Sequence, residues 1–448
     1  MIDAASAQNR CAQLIDAALH SGADSADAVA SAQSSEGVNI RLGKLEDVER
    51  AESESIALRV FCGRRSACIH ASDFSAEAVT ELTERAVAMA RLAPEDPYAG
   101  LADPEQLASG PFADLDLADD TEPSPQDLRE AAHAAEDSAR AISGITNSEG
   151  ASASFARAVV ALVASNGFSG SYSATGHSIS ASVIAGEGAS MQRDYAARSA
   201  RHRDDLLPPE TIGELAGLRA VARLNPGAMK SGTVPVVFDP RVSPSLVGHL
   251  AGAMSGAAIA RRASFLLDRL DETLFPSGLT ITDDPLLARG LASHPFDGEG
   301  LPVSRKNLVA DGKLSGWLTN LAAARQLGVA PSGHAMRGGG GTPGISCSNV
   351  TLSGGAVTRD ELIADIADGV LVTELIGQGV NGVTGDYSRG AAGFRIINGE
   401  IAGPVAEFTI AGNLLTMFAH MRNADDLETH RAVNAPSLRV DGMTVAGE

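Results

Sequence analysis

The chain has few aromatic residues and few cysteines for its length. Aromatic residues make up 4% of its 448 residues, so the core has to be built mainly from Ala, Val, Leu and Ile. The four cysteines, Cys11, Cys62, Cys68 and Cys347, are too few for a disulfide framework in a chain of this size, and none forms a Cys-x-x-Cys pair. We therefore expect buried or incidental thiols.

Positive charge and long apolar runs are also scarce. The 35 basic and 56 acidic residues give a formal net charge of −21, and no Lys/Arg stripe interrupts this acidic character. Such a surface repels nucleic acid and anionic membranes. No run reaches about 18 apolar residues, and the N-terminus has no basic segment followed by an apolar one. We expect a soluble cytoplasmic protein with neither nucleic acid nor a membrane as its partner.

The common motifs for metal and phosphate binding are missing as well. The ten histidines are scattered, without HExxH or a pair at metal-ligand spacing. The glycine run at 337–342 is not followed by the Lys-Ser/Thr of a phosphate-binding loop, which favours a flexible loop. Cys347 with nearby His334 could act as a nucleophile and its base, although closeness in sequence does not establish contact in space. Asp297 and Glu299 could form an acid pair or belong to a tight turn.

Helical and extended patterns alternate in the first half of the chain. Residues 9–20, 75–92 and 124–142 carry apolar side chains at helical spacing. The extended runs between the first two of these segments are typical of an antiparallel meander. Residues 145–198 switch to a period of two, which predicts two to four antiparallel strands.

The chain divides into two predicted domains at Asn225-Pro226-Gly227, where a helix is broken. Residues 1–225 predict an N-terminal domain of helices and an antiparallel sheet. Residues 226–448 are rich in extended runs and tight turns, among them Asn398-Gly399, because both of these turn residues tolerate positive φ. We predict an α+β protein whose C-terminal domain is dominated by antiparallel strands that could close into a barrel.

Glycine is abundant, with 47 residues, and it is frequent in one loop of the C-terminal domain. Glycine lets a backbone approach another group closely, and loops on a rigid scaffold often carry function. The stretch 377–393 therefore predicts a binding surface. Its polar side chains, which lie among six glycines, are Asn381, Thr384, Asp386, Ser388 and Arg389.

A second feature of the C-terminal half is a strongly patterned helix. Ser243 and Pro244 suit the N-cap and the first position of a helix that runs to about residue 262. Apolar residues at helical spacing, from Leu246 to Met254, predict its buried side. His249 lies one position before Leu250 on this helix.

Several motifs together resemble the TldD/PmbA family, specifically its PmbA (TldE) branch. The likeness spans nearly the whole second half of the chain, and no single short motif carries it. The motifs are GHLAGAMSG at 248–256, FDGEGLP at 296–302, GKLSGWLTNLAAARQLG at 312–328 and the stretch from GVLVTELIGQG to EFTIAGNL at 369–414.

The resemblance implies a cytoplasmic metalloprotease built from two homologous subunits. Its TldD-type subunit binds zinc through a helical HExxxH motif and a late cysteine. Aligned through the shared Gly-His, the second histidine is His249, and the first histidine and the glutamate fall at Pro244 and Ser245. Ala435 falls at the cysteine. Proline cannot bind zinc and serine cannot replace the carboxylate as a general base, so this chain lacks the groups the chemistry needs.

We therefore predict a PmbA/TldE-like subunit of a TldD/TldE-type zinc metalloprotease that acts on unfolded or extended peptides. It would pair with a TldD-like subunit as a heterodimer, or with itself when isolated, and contribute walls of the substrate channel. We assign no catalytic residue, metal ligand or cofactor to this chain, and we expect the zinc in the partner. The residues predicted to contact peptide or partner are His249, Asn381, Asp386, Ser388 and Arg389.

Two other classes of function stay open from the sequence. The chain could be an autonomous metallopeptidase with dispersed ligands such as His249, His294 and His430. It could also be a non-enzymatic, homodimeric module that binds peptides or regulates another protein. A stoichiometric metal ion in the isolated protein would support the autonomous metallopeptidase. Peptide binding without any proteolytic partner would favour the non-enzymatic module.

Overall fold

The computed structural model describes residues 2–72, 75–337 and 341–448. Its first half is an antiparallel sheet with helices, as the sequence predicts. The elements are α1 (Ala4–His20), β1 (Ser25–Arg41), β2 (Lys44–Cys62), β3 (Arg65–Ala71), α2 (Ala76–Leu92), α3 (Pro125–Ala141), β4 (Ile145–Ala164), β5 (Ser169–Ala185), β6 (Gln192–Ala200) and α4 (Pro209–Ala222). Single 3-10 turns lie at Pro104–Gln106, Gly188–Ser190 and Arg203–Asp205.

The six strands form one sheet in the order β3-β2-β1-β4-β5-β6, so β3 and β6 are its edges. The helices cover one face of this sheet, because alternate residues of each strand point to the same side. Ala30 of β1 packs with α1 and α2, and Val38 of β1 packs with α3 and α4. On the opposite face, Val29 and Leu162 pack against Phe296 of the second half of the chain.

The second half contains a closed barrel. Its elements are β7 (Gly227–Ala228), β8 (Gly232–Phe238), α5 (Pro244–Ala253), α6 (Gly256–Ala260), β9 (Ile281–Asp283), β10 (Lys306–Ala310), β11 (Lys313–Leu314), α7 (Leu321–Leu327), β12 (Ala335–Met336), β13 (Gly344–Ile345), β14 (Val350–Leu352), α8 (Arg359–Ile363), β15 (Asp368–Ile376), β16 (Asp386–Ile397), β17 (Glu400–Asn413), α9 (Leu414–Ala419), β18 (Met421–Asn423), β19 (Val433–Asn434) and β20 (Leu438–Ala446). The order β20-β8-β15-β16-β17 closes because β17 also pairs with β20. The predicted α+β fold with a barrel is confirmed.

Local turn chemistry explains how the barrel strands are joined and how closely they pack. Asn398 and Gly399 have φ values of 50° and 81°, the two left-handed residues that a tight hairpin requires. At Gly393 a side chain is excluded, since a Cβ atom there would lie 1.9 Å from the carbonyl oxygen of Leu371 on the neighbouring strand. Phe238 and Ile410 are fully buried in the core beneath these strands.

The long helix predicted from residue 243 to about 262 is interrupted, and this expectation was wrong. It divides into α5 and α6 because another segment bonds to the backbone between them. The N–H of Leu318 donates to the carbonyl of Met254 at 3.0 Å, and the N–H of Gly256 donates to the carbonyl of Leu318 at 2.7 Å. These tertiary hydrogen bonds replace the helical ones at this point.

Within the described ranges, every helix is too short or too polar to cross a membrane. The described cysteines are all free thiols, with Cys11 buried and Cys62, Cys68 and Cys347 half-buried.

Candidate functional site

Helix α5 carries the positions that the resemblance aligns with a zinc-binding motif. Pro244 begins the helix and lies in the wall of a cleft of about 1040 Å³. The Ser245 hydroxyl donates to the carbonyl of Val242 at 2.6 Å, so it is used within the first turn. The predicted cap at Ser243 is not formed, since this residue has helical backbone angles and makes no side-chain cap hydrogen bond.

The C-terminal segment around Ala435 lies directly against the start of α5. Ser243 donates its hydroxyl to the carbonyl oxygen of Ala435 at 3.2 Å, and Ala435 is only 2% exposed. The helix start and the late segment therefore meet in space, as the resemblance implies. The methyl group of Ala435 and the ring of Pro244 offer no donor atom to a metal ion.

The remaining donor atoms do not fit a zinc ion. Among residues 2–72, 75–337 and 341–448, no group of three or more His, Cys, Asp or Glu side chains could hold a metal. The three histidines considered as dispersed ligands are not brought together. His249 lies on α5, His294 has its Nδ1 3.0 Å from the carbonyl oxygen of Ala292, and His430 lines the cleft. The structure therefore argues against a metal site made from these three.

The structure does bring His249 close to strand β16. The His249 and Tyr387 rings meet edge to face with centroids 6.0 Å apart. The Nε2 atom of His249 and the hydroxyl of Tyr387 are buried and have no hydrogen-bond partner among the described residues. Burial, followed by the positive charge of Arg389, lowers the pKa of His249. This imidazole is therefore neutral at pH 7.

The sequence did not lead us to predict Tyr387 as a site residue, although its position relative to Arg389 indicates it. It lies two residues before Arg389 on β16, and residues two apart in a strand face the same side. Both are buried, whereas Ser388 between them is on the exposed side. The Nε of Arg389 donates to the carbonyl of Ile376 at 3.4 Å, which holds its charge beside the histidine.

The other predicted contact residues shape the glycine-rich loop. The Oδ1 of Asn381 accepts hydrogen bonds from the N–H groups of Val383 and Thr384 at 2.9 and 3.2 Å. Asp386 accepts from the Thr384 hydroxyl at 2.6 Å and from Nδ2 of Asn413 at 3.2 Å. Both side chains are exposed but internally engaged. Their role in contacting a peptide or a partner remains a prediction.

The proposed nucleophile pair is not formed. The Nε2 atom of His334 lies 3.0 Å from an Asp283 carboxylate oxygen, and its Nδ1 lies 2.8 Å from the Ser332 hydroxyl. Both ring nitrogens are thus engaged with groups other than Cys347, and burial raises the pKa of the Cys347 thiol. The sequence predicts a flexible loop for the glycine run at 337–342, but its residues 338–340 lie outside the described residues.

Asp297 and Glu299 belong to a tight turn. The Oδ1 of Asp297 accepts from the N–H groups of Glu299 and Leu301, both at 2.9 Å. Glu299 accepts from the N–H of Leu321, the first residue of helix α7, at 2.7 Å and lies 3.5 Å from Arg59. Burial is the main reason that the pKa of Asp297 rises to about 7.

The main concave feature beside α5 is the cleft in which Pro244 lies. Its first wall is strand β6, from Tyr195 to Ser199, and its other wall includes His430 and Arg431 from the C-terminal segment. A second cavity of about 700 Å³ shares Arg198, His430 and Arg431 with it. The cleft is thus bounded by an edge strand, the start of α5 and the C-terminal segment, and the second cavity adjoins it.

Comparison with protein families defines the class of this molecule. Models described as PmbA/TldA metallopeptidase domains match residues 26–90 as domain 1, 118–224 as the central domain and 231–447 as the C-terminal domain. The fold and α5 are therefore those of a metallopeptidase-related protein. The chain belongs to the PmbA/TldD family, in agreement with the resemblance of its motifs.

Individual relatives extend over almost the whole chain. "Metalloprotease PmbA" of Escherichia coli O157:H7 is 38% identical over 427 residues, which are 95% of this chain and 93% of the relative. A crystal structure from Bacteroides thetaiotaomicron, of a protein described as a proposed modulator of DNA gyrase, is 27% identical with a TM-score of 0.91 and full coverage of both chains. TldE from Thermococcus kodakarensis, 21% identical over 98% of this chain and 100% of its own, has the same fold with a TM-score of 0.86.

Proposed function

We propose that this chain is the PmbA/TldE-type, non-catalytic subunit of a cytoplasmic metalloprotease that acts on unfolded or extended peptides. It pairs with a TldD-like subunit, and its cleft beside β6 forms part of the peptide channel. The observation that carries the proposal is the composition of the helix start. Pro244 and Ser245 begin α5 and Ala435 lies beside its start, and none of them supplies the ligands or the carboxylate of a zinc protease.

In this proposal the partner carries out the catalysis, and residues of this chain have a structural role. Zinc, when bound by a TldD-like partner, supplies a Lewis acid and an activated water for peptide hydrolysis. In this chain the Ser245 hydroxyl is occupied by the carbonyl of Val242, and the His249 ring is turned toward Tyr387. We assign these residues to holding the wall of the channel in shape.

Strand β6 supports peptide binding because it is an edge. Its N–H and C=O groups alternate between the β5 side and the open side, as in any antiparallel pair. Tyr195 faces the open side, since its N–H donates to the Asp194 carboxylate at 2.7 Å and its carbonyl accepts from Arg219 at 3.2 Å. Ala197 and Ser199 follow at a period of two. Their backbone groups are therefore placed to pair with an extended peptide.

The proposal is tested by a peptidase assay of this chain alone, of a TldD-like partner alone and of the two together, with zinc measured in each. We expect activity from the mixture that exceeds that of the partner alone, and zinc in the partner. Stoichiometric zinc and peptidase activity in the isolated chain would instead support an autonomous metallopeptidase. No gain in activity on mixing, with peptide binding retained by the isolated chain, would favour a peptide-binding module.

A further inference from the structure

The cleft beside β6 differs in charge from the rest of the molecule. The chain as a whole has a net charge of −21. Taken together, however, the cleft and its adjoining cavity are lined by eight arginines and six carboxylates. The arginines of this lining that form no ion pair can attract anions to the cleft, because its walls focus the field.

Three of the cleft arginines form no ion pair within the described residues. Arg198 on β6, Arg219 on α4 and Arg431 before β19 have no carboxylate oxygen within 4 Å in the part of the chain that the structure describes. Arg219 donates to the carbonyl of Tyr195 at 3.2 Å, and Arg431 donates to the carbonyl of Pro240 at 2.9 Å. These bonds to neutral oxygens hold the two side chains in place without an ion pair. The charges of Asp194, Asp239 and Glu428 still act on Arg219, and that of Glu428 acts on Arg198.

The neighbouring arginines behave differently. Arg241 lies 2.5 Å from the carboxylate of Asp194, and Arg289, in the adjoining cavity, lies 2.6 Å from that of Asp116. The same cleft therefore contains arginines that complete ion pairs and arginines that do not. The second group is the one available to a ligand.

Two of the four carboxylates that line the cleft are engaged by other donors. Asp426 accepts from the N–H and the hydroxyl of Ser437, both at 2.7 Å, and Asp239 accepts from the N–H of Arg241 at 2.9 Å. Glu428 is exposed, and one of its oxygens lies 3.2 Å from Nδ1 of His430. Glu428 and the exposed Asp360 are thus the carboxylates that a bound anion would have to displace or avoid.

His430 lies among the three unpaired cations. Burial, followed by the charges of Arg198, Arg431 and Arg219, lowers its pKa to about 4. The imidazole therefore adds no charge at pH 7. Its Nδ1 atom is buried without a well-directed hydrogen bond, since the Glu428 oxygen lies within ion-pair distance but in poor hydrogen-bonding geometry.

We propose that Arg198, Arg219 and Arg431 form a carboxylate-binding subsite for an extended peptide that pairs with the edge of β6. The inference rests on the proposed function and adds a substrate preference to it. The open-edge groups of Ala197 and Ser199 flank Arg198, so one peptide can use both the strand edge and the guanidinium. Arginine suits this role because its planar donors match the two oxygens of a carboxylate.

The carboxylate could come from an Asp or Glu side chain or from the C-terminus of the peptide. Both sources present the same planar anion, and the test separates them. The probes are four fluorescently labelled peptides of one length, with either Glu or Gln at two central positions and with either a free or an amidated C-terminus. Their dissociation constants for the full-length chain are measured by fluorescence anisotropy at low and at high salt.

We expect the Glu peptides to bind about tenfold more tightly than the Gln peptides at low salt, and the difference to shrink at high salt, because exposed charges are screened. A difference that instead follows the free C-terminus assigns the subsite to the terminal carboxylate. Equal binding of all four peptides would overturn the subsite and leave the proposed function standing. If no peptide binds to the chain, alone or with a TldD-like partner, both proposals fail.

Variants assign the preference to these arginines. In the double variant Arg198→Gln with Arg431→Gln, we expect the Glu and Gln peptides to bind equally. The matched control is Arg193→Gln, since Arg193 lies on the same strand, is exposed and pairs with Glu149 at 3.5 Å outside the cleft. The control should keep the preference. A preference that persists in a double variant whose circular dichroism is unchanged would refute the assignment.

Discussion

Two groups of arginines in this protein differ in what surrounds them. Arg59 and Arg337 lie where the sheet of the first half meets the second half, and both bind the carboxylate of Asp27. Arg59 also lies 3.5 Å from Glu299, and Asp27 is 2% exposed. The cleft arginines Arg198, Arg219 and Arg431 have no such partners. The first group joins the two halves through ion pairs, and the second group is the one that our proposal assigns to ligand binding.

The energetic cost of leaving an arginine without an ion pair differs between the two groups, because one is buried and the other is partly exposed. A buried cation without a partner is strongly unfavourable, so the junction arginines require Asp27. Burial by itself raises the pKa of Asp27, but the charges of Arg337 and Arg59 outweigh burial and lower it. The cleft arginines are only partly buried or exposed, and water can solvate them until an anion arrives. Paired arginines should therefore govern stability, and unpaired ones should govern binding.

The largest effect is expected for Asp27→Ala, which leaves the cations of Arg59 and Arg337 buried without their shared partner. We expect a loss of about 3–5 kcal/mol in the free energy of unfolding, measured by urea denaturation. The control is Glu52→Ala, which removes an exposed pair with Arg50 and should cause no measurable change. If the free energy of unfolding falls as little as in the control, the ion pairs of Asp27 with Arg59 and Arg337 have no structural role.

An intermediate effect is expected for Asp194→Asn, which converts a paired cleft arginine into an unpaired one. Asp194 is 3% exposed and holds Arg241 at 2.5 Å and Arg223 at 3.5 Å. We expect a loss of about 1–3 kcal/mol in the free energy of unfolding. Because Arg241 gains a free charge, binding of the Glu peptide should become tighter. Weaker binding of that peptide would argue against the charge-based comparison.

A small effect on stability is expected for the double variant Arg198→Gln with Arg431→Gln. Neither side chain forms an ion pair within the described residues, so the free energy of unfolding should change by no more than about 0.5 kcal/mol. Urea denaturation of the variant beside the Arg193→Gln control measures this change. A loss of free energy of unfolding comparable to that of Asp194→Asn would mean that these arginines stabilise the fold, which would argue against their being available to a ligand.

The last prediction concerns the pH dependence of stability, which has no effect at pH 7 and appears only as the pH falls below about 6.5. Since the pKa of His430 is lowered to about 4 in the fold from its usual 6.5, the unfolded chain binds the proton more readily. The contribution of His430 is fully present above pH 6.5 and is lost as the pH falls from 6.5 to about 4. In the double arginine variant, two of the charges that lower this pKa are gone. NMR titration of the His430 ring should then give a higher pKa, and an unchanged value would exclude those charges as its cause.

Local signals made part of the fold predictable from sequence. The hairpin at Asn398-Gly399 needs only two residues that tolerate positive φ. Helix α3 begins where Ser124 and Asp127 exchange hydrogen bonds, a pattern visible in four consecutive residues. Barrel closure was only an open alternative, because the pairing of β17 with β20 joins strands that are separated by α9, β18 and β19.

The parts that the sequence did not predict depend on contacts between distant segments. The break between α5 and α6 is imposed by Leu318, more than fifty residues further along the chain. The cleft gathers Arg198, Arg219 and Arg431 from three elements, and no local pattern connects them. His249 and Arg389 were singled out from the sequence, but the Tyr387 ring between them became evident only when β16 was placed beside α5.

The hydrogen bond from Ser243 to the carbonyl of Ala435 has a consequence for how this subunit would behave in a mixed assembly. It joins the start of α5 to the C-terminal segment through two ordinary polar groups, with no thiolate or imidazole involved. This contact contains no metal ion that a chelator could remove and no sulfur atom that could be oxidised. If the proposed pairing with a metal-binding subunit holds, the side of the channel that this chain forms should keep its shape when that subunit loses its metal.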